Sequence, residues 1–422
     1  MEPSFQFQGG CNMNKTENPF HISISDVKRA REEIQKILAP SPLLFNRWLS
    51  DAWQAQVFLK LENMQPIGSF KIRGAFTKIS KLTNDQKKFG VIAASAGNHA
   101  QGVAWSSQQL GVNAKIIMPR SAPLVKVQNT RALGAEVILE GDNYDQAFHC
   151  AQETSAKTGR IFISAYEDGD VIAGQGTVAL EILEQKPDTD FVIGAVGGGG
   201  LMAGVGLVYK SLRPQTRIIG CQAIGSNAMV RSIREGRAVQ LESAKTFADG
   251  IALLRASEKM RLTLTPLIDD WLEVTEESIA FAILTLMEKG KIIAEGSGAV
   301  PLAGLEQIAG QVRGKNVVLI ISGGNIDVNV LSRVIDIGLI RAGRRIRVNV
   351  LISDRPGSLA KLTDFLAKQG ANILQAIHDR NEPSIKLDET EVALTLETRG
   401  PEHSTELIEN LRKNVLRLEL VH

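Results

Sequence analysis

Lysine carries an amine that can add to a carbonyl carbon, provided its surroundings leave that amine uncharged. Lys71 lies in the segment Gly68-Ser69-Phe70-Lys71-Ile72-Arg73-Gly74-Ala75, soon after the apolar run Val57–Leu61. With an aromatic and small residues beside it, this lysine could form an imine with an aldehyde. Read alone, it could equally be an exposed lysine that starts a helix. Three further segments carry potential chemistry. Ser95-Ala96-Gly97-Asn98-His99-Ala100-Gln101-Gly102 follows Val91–Ala94. A loop feeding a helix there offers N–H groups to a carboxylate. The plainer alternative is a helix cap made by Ser95 or Asn98, with His99 structural. Gly197-Gly198-Gly199-Gly200-Leu201 follows Phe191–Val196. Four consecutive glycines form a concave nest of N–H groups suited to phosphate; a turn accounts for two glycines easily and for four poorly. Ser322-Gly323-Gly324-Asn325 follows Val317–Ile321, where a serine can meet a neutral ring nitrogen or simply cap a turn.

A rival reading of the glycines is a dinucleotide site, because Gly198–Ala203 fits the relaxed pattern G-x-G-x-x-A. That site needs an acidic residue about 20 positions on to hold the ribose. Gln222 stands there instead.

These segments need elements to position them. Apolar, strand-like runs occur at Val57–Leu61, Val91–Ala94, Ala114–Met118, Glu136–Leu139, Arg160–Ile163, Phe191–Val196, Arg217–Gln222 and Val317–Ile321. Helix-length segments separate them, among them Val125–Ala132, Tyr144–Thr158 and Thr177–Glu184. An amphipathic helix runs from Ser25 through Val27, Ile34 and Leu38 and stops before Pro40. Strands alternating with helices predict an α/β fold with parallel sheet covered on both faces. Ligands of such sheets lie beyond the carboxyl ends of the strands, where all four segments fall. The pattern changes near Arg341–Arg347, a basic stretch that reads as a linker. Beyond it come a strand (Val348–Ile352), a turn at Asp354-Arg355-Pro356-Gly357, and a helix (Ser358–Gln369). A strand (Ala371–His378), another (Glu391–Leu396) and a helix (Ser404–Asn414) complete a small α+β unit.

Composition excludes several classes of function. The 422 residues carry a formal net charge of +2 with both signs mixed along the chain, so nothing selects nucleic acid or an anionic membrane as partner. No apolar stretch reaches the roughly 18 residues that a membrane helix needs, and no secretory signal is visible. The three cysteines are far apart and lack metal-ligand spacing. They suit a reducing, cytoplasmic setting with no disulfide framework and no metal site. Residues 1 to about 20 are polar and aperiodic and read as a flexible tail.

In this order, the four segments resemble those of the fold type II pyridoxal-phosphate enzymes (tryptophan synthase β-like), in their threonine dehydratase and serine racemase branch. Asn63-Met64-Gln65-Pro66, Asp170–Thr177, Ala248-Asp249-Gly250 and Glu295–Ala299 add to the likeness. The resemblance implies a catalytic domain over 21–340 with two parallel-sheet subdomains, and pyridoxal 5'-phosphate as cofactor. Lys71 would hold the cofactor as a Schiff base and later take the substrate's α-proton. Phe70 would pack near the ring, Asn98 would contact the ring hydroxyl, and Gly250 would lie beside it. Gly197, Gly198, Gly199, Gly200 and Leu201 would cradle the phosphate, and Ser322 would meet the pyridine nitrogen. Ser95, Ala96, Gly97, Asn98 and His99 would receive the substrate carboxylate. A serine partner leaves the ring nitrogen unprotonated and the ring a weaker electron sink, which suits elimination of a β-hydroxyl. The implied reaction turns threonine, and also serine, into a 2-oxo acid and ammonia.

The unit at 347–422 resembles an ACT domain, as in the medium-length threonine dehydratases. That implies an amino-acid effector and assembly into a homotetramer or homodimer. Racemisation is the rival within the family. In the racemases a second serine of the asparagine loop acts on the opposite ring face; Ala96 stands at that position, and Gln222 stands where a metal-binding glutamate would be. A non-catalytic amino-acid sensor is the rival of another class, and retention of Lys71, Asn98, the glycine nest and Ser322 argues against it.

Overall fold

A computed structural model describes residues 19–380 and 386–421. The tail expected over residues 1–20 therefore lies almost wholly outside the described residues. The chain divides into two compact units. One comprises the residues up to Ile279 together with Leu286–Ile326; the other comprises Ala280–Thr285 and the residues from Asp327 onward.

The first unit holds two sheets. The larger has the order β1-β2-β10-β7-β8-β9, from Leu43–Phe45 (β1), Gln56–Leu61 (β2), Phe191–Ala195 (β7), Arg217–Ala223 (β8), Asp270–Val274 (β9) and Asn316–Ile321 (β10). Only β1 runs antiparallel, against β2. The smaller sheet is wholly parallel in the order β5-β4-β3-β6, from Val91–Ala94 (β3), Ala114–Met118 (β4), Glu136–Leu139 (β5) and Ile161–Phe162 (β6). Central strands such as β3 and β7 are buried along their whole length, which is why they read as continuous apolar runs. The strands β1 and β9 were not expected. Both are sheet edges; β9 mixes Asp270 and Glu273 with apolar residues, and β1 is an apolar triplet too short to stand out as a strand.

The helix predicted from Ser25 to Leu38 spans Ile24–Ile34. Its last turn tightens, with Lys36 and Ile37 donating to carbonyls three residues back, and Leu38 is buried beyond the helix proper. Pro40 disfavours helical geometry in the residue before it, so the chain leaves the helix early.

Glycine lets three helices approach closely. In the helix Gly169–Gln185, a Cβ at Gly174 would stand 2.6 Å from Arg73 O of the helix Lys71–Ser80. In the helix Gly200–Leu212, a Cβ at Gly204 would stand 2.5 Å from Gly176 N. Between the first pair lies a buried ionic cluster. Arg73 donates to both Glu62 and Glu181, and Lys60 Nζ reaches Glu181 at 2.7 Å. All four side chains are almost completely buried.

The second unit carries an antiparallel sheet in the order β12-β13-β11-β14, from Arg345–Ser353 (β11), Asn372–Asp379 (β12), Glu389–Glu397 (β13) and Arg417–Leu420 (β14). The helices Ser358–Lys368 and Pro401–Asn414 bury Leu362, Leu366, Leu407 and Leu411 in its core. This α+β unit begins before residue 347, because the helix Val328–Arg341 groups with it. Asp336 of that helix pairs with Arg345, Arg341 stacks on Phe281, and Gly338 packs on Ala280 and Leu284.

Candidate active site

Five loops converge at the carboxyl ends of strands in the first unit. They follow β2, β7 and β10 of the larger sheet and β3 and β6 of the smaller one. Lys71 opens the helix Lys71–Ser80, with Phe70 as the residue before it. Its Nζ donates to Ala165 O at 2.9 Å and lies 5.2 Å from the centre of the Phe70 ring. Enclosure holds the amine's pKa down to about 8, against the opposing pull of the Glu295 carboxylate. Desolvation penalises the ammonium form, so the amine gives up its proton more readily than that of an exposed lysine, with the ammonium still the major form below about pH 8.

The loop before Lys71 is stitched to the loop after β10. Phe70 N donates to Ser322 O at 3.1 Å, Gly324 N donates to Gly68 O at 2.9 Å, and Ser69 forms an isolated bridge with Gly323. Ser322 itself is buried. Asn325 Nδ2 donates to Ile67 O at 2.7 Å and to Asn98 Oδ1 at 2.8 Å. Asn98 in turn donates through Nδ2 to Glu295 Oε1 at 2.8 Å, and Ser297 Oγ donates to the same oxygen at 2.7 Å. Gly250 borders this pair: a Cβ there would meet Ser297 Oγ at 2.6 Å and Glu295 Oε1 at 3.4 Å. Gly197 touches Gly250 from the other side. The circuit closes through Tyr166, whose ring occupies the space a Cβ on Gly198 would need, at 2.3 Å, next in sequence to the carbonyl of Ala165.

The loop Ser95–Gly97 leads into the helix Asn98–Gln109. Ser95 Oγ accepts from Gly97 N, and His99 Nε2 donates to Ile163 O at 2.9 Å. Burial and the positive charge of Lys71 drive the His99 pKa down to about 3, so the imidazole stays neutral. The sequence expectation treated His99 as a substrate contact or a structural residue; buried and bonded to a backbone carbonyl, it locks the loop after β3 to the loop after β6. Ala96 and Gly97 are partly exposed, and nothing lies within 4 Å of a Cβ position on Gly97, so this turn borders open space.

The glycine loop tests the fit of a phosphate. Gly199 has φ +93°, the left-handed region, and a Cβ on it would also meet Leu264 at 2.6 Å. Gly200 then begins a helix of 13 residues. The N–H groups of a first helical turn have no intrahelical acceptor, and the helix dipole places partial positive charge there. A cradle that tolerates no side chains, a lysine amine of lowered pKa and a hydrogen-bonded asparagine suit a phosphorylated aldehyde. Of the expected residues, Phe70, Lys71, Asn98, Gly250 and Ser322 are linked with the glycine loop by these contacts, whereas Leu201 packs into the hydrophobic core. Glu295 and Tyr166 carried no assigned role; the stretch Glu295–Ala299 held a signal for the former, a lone acid ahead of small residues, whereas Tyr166 had none.

Comparison with known proteins agrees with this geometry. The family model for pyridoxal-phosphate dependent enzymes matches residues 34–323. L-threonine ammonia-lyase of Thermotoga maritima is 43% identical over 386 residues, covering 92% of this chain and 96% of that protein. Among solved structures, processed threonine deaminase isoform 2 of Solanum lycopersicum aligns at TM-score 0.72 and 38% identity, over 75% of this chain and 90% of its own. Maize serine racemase aligns at TM-score 0.70 and 30% identity, over 74% and 98% respectively. The family match contains four of the five converging loops whole and the start of the fifth, and with them the lysine and its glycine cradle: the chain belongs to the pyridoxal-phosphate dependent enzymes.

Proposed function

We propose that this enzyme removes the β-hydroxyl and the amino group of L-threonine, and of L-serine, to give 2-oxobutanoate or pyruvate with ammonia. The observation that carries the reading is an enclosed Lys71 amine of lowered pKa near a glycine nest and the open turn Ser95–Gly97. The likeness to the Thermotoga maritima ammonia-lyase over nearly the whole of both chains supports the same reading. When bound through Lys71 and the glycine loop, pyridoxal phosphate supplies the electron sink that weakens an amino acid's α C–H bond. The protein supplies placement and proton transfer. Lys71 Nζ accepts the α-proton, for which an amine with a pKa near working pH is suited. The N-terminus of the helix Asn98–Gln109, with the Ser95–Gly97 turn before it, receives the substrate carboxylate. With the cofactor bound, Asn98 would meet the ring hydroxyl and Ser322 the ring nitrogen. Water is lost and regained over the whole reaction, and the β-carbon is reduced as the α-carbon is oxidised, so no external oxidant or reductant is needed.

In the second unit, a cavity of about 360 Å³ is lined by Ser353, Asp354, Ser358, His378 and Arg380 among others, with Arg380 paired to Asp354 at 3.0 Å. We assign it to an amino-acid effector, whose ammonium and carboxylate groups such a mixed-charge lining complements. Assembly into a homotetramer or homodimer and a cytoplasmic location belong to the same reading. Among the described residues, no helix is long and apolar enough to cross a membrane.

The test is 2-oxo acid release from threonine and serine, with and without isoleucine or valine, alongside an assay for D-serine. Wild type should release the 2-oxo acid and show the visible absorbance of a lysine-linked cofactor; Lys71→Ala should lose both. D-serine formation without 2-oxo acid would overturn the reading in favour of racemisation.

A further inference from the structure

Glu295 is a carboxylate in the site that no step above employs. Its Oε1 accepts from both Asn98 Nδ2 and Ser297 Oγ, and its backbone N–H donates to Gly323 O at 3.1 Å. The fold makes room for it with glycine, since a Cβ at Gly323 would stand 2.4 Å from that oxygen. Gly323 is bridged to Ser69, which brings the carboxylate to the loop that carries Lys71. The charged groups around it come from three elements. They are Lys71, Lys126 of the helix Leu124–Ala132, and Asp249 of the short turn Asp249–Ile251. Lys126 and Asp249 neutralise each other at 2.8 Å, and His99 is uncharged. That leaves Lys71 and Glu295 as the two unbalanced charges of the cleft.

We infer that Glu295 is a positioning residue that balances the ammonium formed when Lys71 accepts the substrate's α-proton and holds the Asn98 amide in register. The inference rests on Lys71 being the proton acceptor. Enclosure alone makes Lys71 a weak base, because the desolvated ammonium is costly; a carboxylate nearby offsets that cost. Glu295 opposes the downward shift at Lys71. Burial raises the Glu295 pKa above its ordinary value, and the Ser297 and Asn98 donors, with the proton that Lys71 takes up, pull it back toward the ionised form. Asn98 is fixed at both ends, accepting from Asn325 and donating to Glu295, so its amide has one orientation.

Glu295→Gln keeps the shape and the acceptor oxygen and removes the charge. In the full-length chain stripped of cofactor, acylation of Lys71 by acetic anhydride, followed by peptide mass spectrometry across pH, gives the amine's midpoint directly. The wild-type midpoint should lie near 8, and in Glu295→Gln it should fall by about one unit or more, the size of effect a nearby charge exerts. In the loaded enzyme, kcat should fall about tenfold or more with KM for threonine nearly unchanged, as for an interaction made only on proton transfer. Glu295→Asp should recover part of both. Should Glu295→Gln not fold, Ser297→Ala serves instead: losing a donor leaves the carboxylate less ionised, so the midpoint falls in the same direction. A midpoint unmoved in a folded variant overturns the inference, whatever happens to stability. Failure of wild type to release a 2-oxo acid would overturn the elimination reading and leave the midpoint comparison intact.

Discussion

His99 shows what a single buried side chain does to stability. Its ordinary pKa of 6.5 is driven down to about 3 in the folded protein. The unfolded chain therefore binds the extra proton first as pH falls, and stability is lost from 6.5 downward until about 3 is reached. Each pH unit inside that window costs up to about 1.4 kcal/mol. His99→Gln, which keeps a donor for Ile163 O, should flatten urea-derived stability between pH 6.5 and 4.5 relative to wild type; equal slopes would contradict the account. Lys71 leads to a prediction of opposite character, read in rate: activity should rise with pH through about 8 as the amine loses its proton. A flat kcat profile from pH 7 to 9 would count against Lys71 as the base. These two residues also mark how far sequence carries at this scale. Lys71, Asn98, Ser322 and the glycines each follow a strand, so their type and place in the chain were informative together. Glu295 was not legible as a participant, because its meaning comes from Asn98, which is 197 positions away.

The helices owe their close approach to positions without side chains. Alanine at 204 would gain about 1 kcal/mol of helix propensity. It would also press a methyl into Gly176 N at 2.5 Å and Ile172 O at 2.5 Å, backbone atoms that cannot swing aside. Overpacking of this kind typically costs about 1–3 kcal/mol, so the clash wins. Gly204→Ala should lower the urea midpoint, and an unchanged or raised midpoint would refute the packing account. Arg73→Met should cost more, about 3–5 kcal/mol, because Glu62 would lose its buried ion-pair partner and Glu181 would keep Lys60 but lose its two Arg73 donors. Apolar runs revealed the central strands to within a residue or two because those strands are covered on both faces. The missed strands have other reasons: β1 is an apolar triplet too short to read as a strand, and β9 mixes acidic with apolar residues. The ionic cluster was hidden for another reason: Lys60 lies inside an otherwise apolar strand, and its partners belong to other segments.

The two units bury separate cores, one around the parallel sheets and one around the antiparallel sheet. Unequal cores in one chain break two-state behaviour. Scanning calorimetry should therefore give a van't Hoff enthalpy smaller than the calorimetric one, and agreement of the two would show the units melting as one. The boundary was only partly legible. The basic stretch Arg341–Arg347 marks a change of pattern, but the helix ahead of it belongs with the second unit through contacts to Ala280 and Leu284 that no local pattern reveals. One further consequence follows from the stitching of the cleft. Asn325 reaches Ile67 across 258 positions of chain, and neither sheet contains the whole circuit. Closing so long a loop carries a large entropy cost and is slow compared with local contacts. The larger sheet closes the same span where β10 pairs with β2, Asn316 opposite Gln56, so the cleft must wait for that pairing and for the smaller sheet as well. Competence to capture cofactor should thus appear last in refolding, and the cofactor acts as a clamp on the finished first unit rather than as a seed for it.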